Sequence, residues 1–148
     1  MQLTWHRFDD FTTRSLYELL AFRQDVFVVE QASPFPDLDH QDQDAWHLLA
    51  HDAGRLVGCA RVLAPAASRG GASSFGRLVA ARETRGTGLG RRLVAACLGR
   101  LAELYPGADV VISAQIQLEG FYGSFGFVTE SAPYDDCGIL HLDMRLRR

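Results

Sequence analysis

The segment Phe75–Leu104 limits most strongly what this chain can fold into. An apolar run, Phe75-Gly76-Arg77-Leu78-Val79-Ala80, leads into Arg85-Gly86-Thr87-Gly88-Leu89-Gly90. Leu89, Leu93, Val94, Cys97, Leu98, Leu101 and Leu104 then recur at helical spacing until Pro106-Gly107 stops the pattern. The reading is strand, glycine turn, helix. Glycines let successive N–H groups converge on one point, and the helix adds its unpaired first-turn donors and the positive end of its dipole. That combination suits a pyrophosphate, and Arg85, Arg91 and Arg92 can add charge. No Gly-Lys-Ser/Thr follows, so it is not a P-loop, and the last glycine gap is one residue short of a dinucleotide fingerprint. Taken alone, the segment also fits a glycine turn that merely starts a helix.

The rest of the chain supplies strands and one more helix. Leu3, Trp5 and Phe8 suggest a first strand; Thr12 or Thr13 can cap a helix that carries Leu16, Leu19, Leu20, Phe22, Arg23, Val26 and Phe27 and frays near Glu30-Gln31. Ser33-Pro34-Phe35-Pro36 breaks it, and the acidic stretch Asp37–Asp44 reads as a loop. Trp46–His51 and Leu56–Leu63, joined by Asp52-Ala53-Gly54-Arg55, form a hairpin. Pro65–Ser74 reads as a surface loop and Asp109–Ala114 as a buried parallel strand. Leu118–Tyr122 suits a short helix, Phe125–Val128 turns into a strand, and Ile139–Met144 alternates as the last one. With 148 residues, no repeat and no linker, one domain spanning 1–148 is expected.

Composition narrows the function. The net charge of −3 gives no nucleic-acid footprint, and no apolar run approaches the ~18 residues of a membrane span, so neither partner is expected. The basic residues are all arginines and crowd Arg77–Arg100, where an anion would settle. Three scattered cysteines, Cys59, Cys97 and Cys137, form no metal or disulfide pattern and point to a cytoplasmic setting, as does the want of a signal segment. No metal is expected.

A second motif, Phe121-Tyr122-Gly123-Ser124-Phe125-Gly126-Phe127, follows the strand at 109–114. With the strand–Arg-Gly-x-Gly-x-Gly–helix unit it makes the chain resemble the GCN5-related N-acetyltransferase (GNAT) superfamily. Phe22-Arg23, Val26–Gln31, Asp39, Asp42, His47, Gly76–Val79, Ala114-Gln115 and Gly138, Ile139, His141 and Met144 extend the resemblance to its ElaA-like branch. Cys137 departs from that branch, which tends to have an acidic residue there.

The resemblance implies an α/β (α+β) domain with a mixed, twisted sheet of about six to seven strands. The sheet splays between the strands at 75–80 and 109–114, with helices on both faces. It implies transfer of an acetyl group from acetyl-CoA to a primary amine by direct attack. The pantetheine arm would pair near Leu78 and Val79 with help from Gln115. The pyrophosphate would sit on Arg85, Gly86, Thr87, Gly88, Leu89, Gly90 and Arg91. Tyr122 takes the general-acid position beside the cofactor, with an aromatic packing residue beside Phe121 and Phe125 as its structural reading. Glu30, His47 and His141 are all candidates for the base, and with Gln31 they are candidates to shape the acceptor site. Each also has a structural reading: Glu30 as a helix end, His47 as a solvent-facing strand residue, His141 as a satisfied sheet histidine. The acceptor is a small molecule or a peptide, and Asp37, Asp39, Asp42 and Asp44 hint that it is cationic. A non-catalytic acyl-CoA sensor with the same fold is the alternative. Monomer and homodimer both stay open.

Overall fold

The computed structural model describes residues 1–148. Four antiparallel strands form the first sheet in the order β1 (Gln2–Arg7), β2 (Trp46–Asp52), β3 (Arg55–Leu63), β4 (Ser74–Ala80). The β2–β3 turn places Ala53 and Gly54 at positive φ, 49° and 79°, which gives the twist that suits a two-residue hairpin. A second sheet holds β5 (Val110–Gln115), β8 (Ile139–Leu146) and β6 (Val128–Thr129), with β7 (Tyr134–Asp136) also paired to β8.

Eight strands stand where about six to seven were expected; two four-stranded antiparallel sheets meet through one parallel bridge, which makes the whole the mixed, splayed arrangement the resemblance implied. The strand read as parallel, β5, is parallel to the β4 side, which it meets only at its root, and antiparallel to β8 on its other edge. There Ser73 bridges Val110: Ser73 N donates to Asp109 O at 2.8 Å and Val111 N to Ser73 O at 2.9 Å. Beyond that bridge the two strands diverge, which is the splay the sequence implied. The end of the stretch read as a surface loop is therefore buried at Ala72, Ser73 and Ser74, because it ties the sheets together.

Helix α1 (Thr13–Gln24) begins in a capping box: Thr12 Oγ1 accepts from Ser15 N at 3.0 Å and Ser15 Oγ accepts from Thr12 N at 2.9 Å. It runs on into a π-helical turn at Asp25–Glu30. Helix α2 (Leu89–Leu104) lays Leu89, Leu93, Val94, Cys97 and Leu101 onto the sheets, and all five are buried. That apolar stripe joins Leu48, Val62, Ile112, Leu142 and Met144 in one core, so α2 welds both sheets together. A second, smaller core of Leu19, Val26, Leu49, Leu56, Cys59 and Val79 seats α1 on the opposite face. Helix α3 (Glu119–Gly123) is a single short turn. No helix is long and apolar enough to cross a membrane.

Candidate active site

The glycine turn is built as an anion cradle. Gly86 and Gly88 sit at φ 78° and 88°, which a residue with a Cβ adopts only at a cost, and Gly88 is the residue before α2. The result is that the amides of Gly86, Gly88, Leu89, Gly90 and Arg91 find no acceptor within the protein, while Thr87 N is taken by Thr84 O. Five free N–H groups at the positive end of a sixteen-residue helix fit a pyrophosphate in both charge and geometry. Arg91 reaches from the first turn of α2 to α3. Its guanidinium lies 5.7 Å from the Phe121 ring and 4.6 Å from that of Phe125, and it donates to Ser124 Oγ at 3.0 Å. The cradle is thus fastened to the turn that carries Tyr122.

A cleft of about 370 Å³ opens in the splay. Leu78 and Phe75 of β4, Ser113 and Gln115 of β5, Tyr122 of α3 and His141 of β8 line it. Its β4 wall is irregular. Cys59 faces Val79 and Arg61 faces Gly76, so Arg77 and Leu78 together oppose a single β3 residue. Arg77 sits at φ 49° in this bulge. The bulge turns Leu78 to the cleft, whereas Val79 packs into the smaller core.

Tyr122 is 7 % exposed and packs against Phe75 and Phe127, with ring centroids 6.1 and 6.2 Å away. Burial pushes its hydroxyl pKa up to about 12, so it stays protonated at any ordinary pH. His141 is half-buried on the facing wall, opposite Gln115 and Tyr134 in the two ladders of β8. Its Nδ1 lies 2.8 Å from the Ile139 carbonyl, an acceptor only, so Nδ1 donates there and Nε2 is the ring nitrogen left for a second partner. Tyr134 stacks at 26° on the His141 ring, and its hydroxyl donates to Asp143 Oδ1 at 2.6 Å while Ser113 Oγ lies 2.6 Å away. The sequence reading missed this clamp, because β7 is three residues long and carries no strand pattern of its own.

The structure does not bring all the expected residues to the cleft. His47 was expected to face solvent or the acceptor. It is instead 2 % exposed, with Nε2 2.9 Å from the Asp42 carbonyl and Phe11 edge-on, and burial lowers its pKa. Glu30 lies apart from the cleft lining, clasped by Arg82 and Arg85, whose hydrogen bonds lower its pKa to about 2. A carboxylate held that low is a poor proton acceptor at neutral pH, so the base reading of Glu30 fails on chemistry as well as place. Its neighbour Gln31 does line the cleft.

The acidic stretch is not a solvated loop either. Arg23 bonds Asp37 at 2.9 Å and Asp42 at 2.7 Å; Arg61 bonds Asp42 at 2.9 Å and also Asp39; Arg77 meets Asp37 at 2.7 Å and Asp39 at 3.3 Å. Burial would raise the Asp39 and Asp42 carboxyls, but the guanidiniums of Arg61 and Arg23 prevail and hold both below the usual range. Three arginines are paired with Asp37, Asp39 and Asp42, which takes those three carboxylates out of the hint of a cation-seeking wall; Asp44 stands outside the network. Only the separate letters of this network were legible in the sequence, since its members span Arg23 to Arg77.

A split sheet beside a glycine-led helix start, with a tyrosine and a histidine across the split, defines an acyltransferase of the GNAT type. The chain matches the acetyltransferase (GNAT) domain family over residues 13–148 and belongs to it. It is 43 % identical over 145 residues to a UPF0039 protein of Synechocystis, covering 97 % of this chain and 94 % of that protein. It is 34 % identical over 137 residues to the protein ElaA of Escherichia coli, covering 91 % and 89 %. The crystal structure of ElaA superposes with a TM-score of 0.90 at 31 % identity, covering 97 % of both chains. That of an acyl-CoA N-acyltransferase from Pseudomonas aeruginosa superposes at 0.91 with 36 % identity over the same share.

Proposed function

We propose that the chain is an N-acetyltransferase that passes the acetyl group of acetyl-CoA directly to a primary amine. The observation that carries this reading is the cradle of five free amides fastened through Arg91 and Phe121 to Tyr122 at the cleft. The acyl-CoA N-acyltransferase similarity and the acetyltransferase family support it. Acetyl-CoA supplies a thioester whose C–S bond breaks as the amine nitrogen bonds to the carbonyl carbon.

The chain's own groups divide the work. Amides of the cradle hold the pyrophosphate, and the β4 edge around Leu78 receives the pantetheine arm with Gln115 opposite. The Leu78 amide, set off the β3 ladder by the bulge, is the donor for the developing oxyanion. The amine's proton goes to His141 Nε2, directly or through a water. Tyr122 donates a hydrogen bond to the departing sulfur. Complete transfer from a hydroxyl of pKa about 12 to an ordinary thiolate of about 8.5 is uphill, so solvent finishes that protonation. Gln31, from the 27–31 segment, shapes the acceptor end.

The test is acetyl-CoA-dependent thiol release across a panel of primary amines, with Tyr122→Phe and His141→Gln beside the parent. Amine-stimulated release that both variants diminish supports the assignment. Tight acetyl-CoA binding that no amine turns into release favours the sensor alternative.

A further inference from the structure

Glu30 is left without a part in the chemistry, yet no other carboxylate is held as closely by the arginines at the glycine loop. Its Oε1 accepts from Arg85 Nη1 at 2.9 Å and from Arg82 Nε and Nη2 at 3.1 and 3.0 Å, and its Oε2 accepts from Arg85 Nη2 at 2.7 Å. Arg85 is thus engaged in a fork, the arrangement a guanidinium offers equally to a phosphate. Arg85 stands directly before Gly86, at the mouth of the free-amide cradle. Its Nε also donates to the Ala80 carbonyl at 3.1 Å, which anchors the side chain to the end of β4. Glu30 comes to this place from a segment more than fifty residues earlier in the chain. It ends the π-helical turn Asp25–Glu30, and Phe27 and Gln31 of the same segment line the cleft.

We propose that Glu30 is an internal competitor of the cofactor's phosphates for Arg85 and Arg82. It fills the arginine fork while the cradle is empty and releases it when phosphate arrives. The exchange rests on the cofactor reading above. It replaces a singly charged carboxylate by a more highly charged anion that the cradle's amides hold as well, so phosphate wins the contest. Release of Glu30 detaches the segment that carries Phe27 and Gln31 from the cofactor loop, so cofactor occupancy is communicated to the acceptor wall. Glu30 is a positioning residue in this account; it touches neither the acetyl group nor the amine.

Calorimetric titration of CoA into the whole protein tests this without knowledge of the acceptor. Glu30→Gln keeps the size of the side chain and removes the competing charge, so CoA binds about threefold more tightly, the worth of a partly exposed ion pair. Glu83→Gln is the control for simple charge removal: Glu83 also lies by the loop, but it pairs with Arg55. Its affinity stays within experimental error of the parent. The gain from Glu30→Gln shrinks when Arg85 is already Gln and vanishes when Arg82 is Gln as well, the signature of direct coupling in a double-mutant cycle. Hydrogen exchange at residues 25–31 rises on CoA addition in the parent and is already high in unliganded Glu30→Gln. An unchanged or weaker affinity in Glu30→Gln, an equal gain in Glu83→Gln, or CoA-induced protection of 25–31 overturns the proposal while leaving the cofactor reading intact. A parent protein that binds no CoA overturns both.

Discussion

At the residue scale, two side chains carry the proposed chemistry from opposite walls of one cleft. Tyr122→Phe keeps the ring that packs on Phe75 and Phe127 and removes only the donor. It should lower kcat on the order of a hundredfold with little change in acceptor KM, as read from thiol-release kinetics. His141→Gln should lower kcat/KM by a similar factor at neutral pH. Its rate should recover as pH rises, because the free-amine fraction of the acceptor then grows without help. His47 shows what the sequence conceals at this scale. The alternation of Trp46, His47 and Leu48 put His47 on a strand but could not say which face the acidic stretch would cover. Folding hides it beneath the Asp42 carbonyl, and its pKa is lowered from 6.5 by burial. A depressed pKa means the unfolded chain binds the extra proton more readily. The stabilising contribution of neutral His47 is therefore fully present above about pH 6.5 and lost as pH falls through its folded value. Urea midpoints should decline below that pH in the parent and decline less in His47→Gln.

Among elements, the glycine-led α2 was legible because its constraints are local: two glycines forced to positive φ and an apolar stripe of period 3.6. Gly88→Ala should cost about 1–2 kcal/mol in chemical unfolding, the strain of a left-handed alanine, and should weaken CoA binding by tilting the cradle. The β4 bulge was not legible. Nothing in Gly76-Arg77-Leu78-Val79 announces an extra residue, since the misfit exists only against β3. Nor was the second partner of β5: its apolar run marks a buried strand, parallel to the β4 side at Ser73, but the antiparallel partner β8 lies at the far end of the chain. Arg77, lifted by the bulge, is how β4 joins the arginine–aspartate network. Removing one cation from that network strands buried carboxylates. Arg23→Met should cost on the order of 3–5 kcal/mol, measured by denaturant unfolding, even though the new side chain is apolar and of similar length.

For the whole molecule, two sheets are pinned at Ser73–Val110 and held by one helix, and the gap between them is the cleft. Asp37, Asp39, Asp42 and Asp44 gave the hint of a cationic acceptor, yet the first three are paired with arginines within the fold. On the proposed reading, those paired carboxylates add little long-range attraction for the acceptor. For cationic amines, kcat/KM should change less than about twofold between low and physiological salt. The account stands most squarely on the five unpaired amides at the start of α2. Backbone amide resonances of isotope-labelled protein, followed through a titration with acetyl-CoA, test them directly. Saturable shifts that are largest at Gly86, Gly88, Leu89, Gly90 and Arg91 are the predicted result. Shifts confined to other regions, or a loop that does not respond, would contradict it.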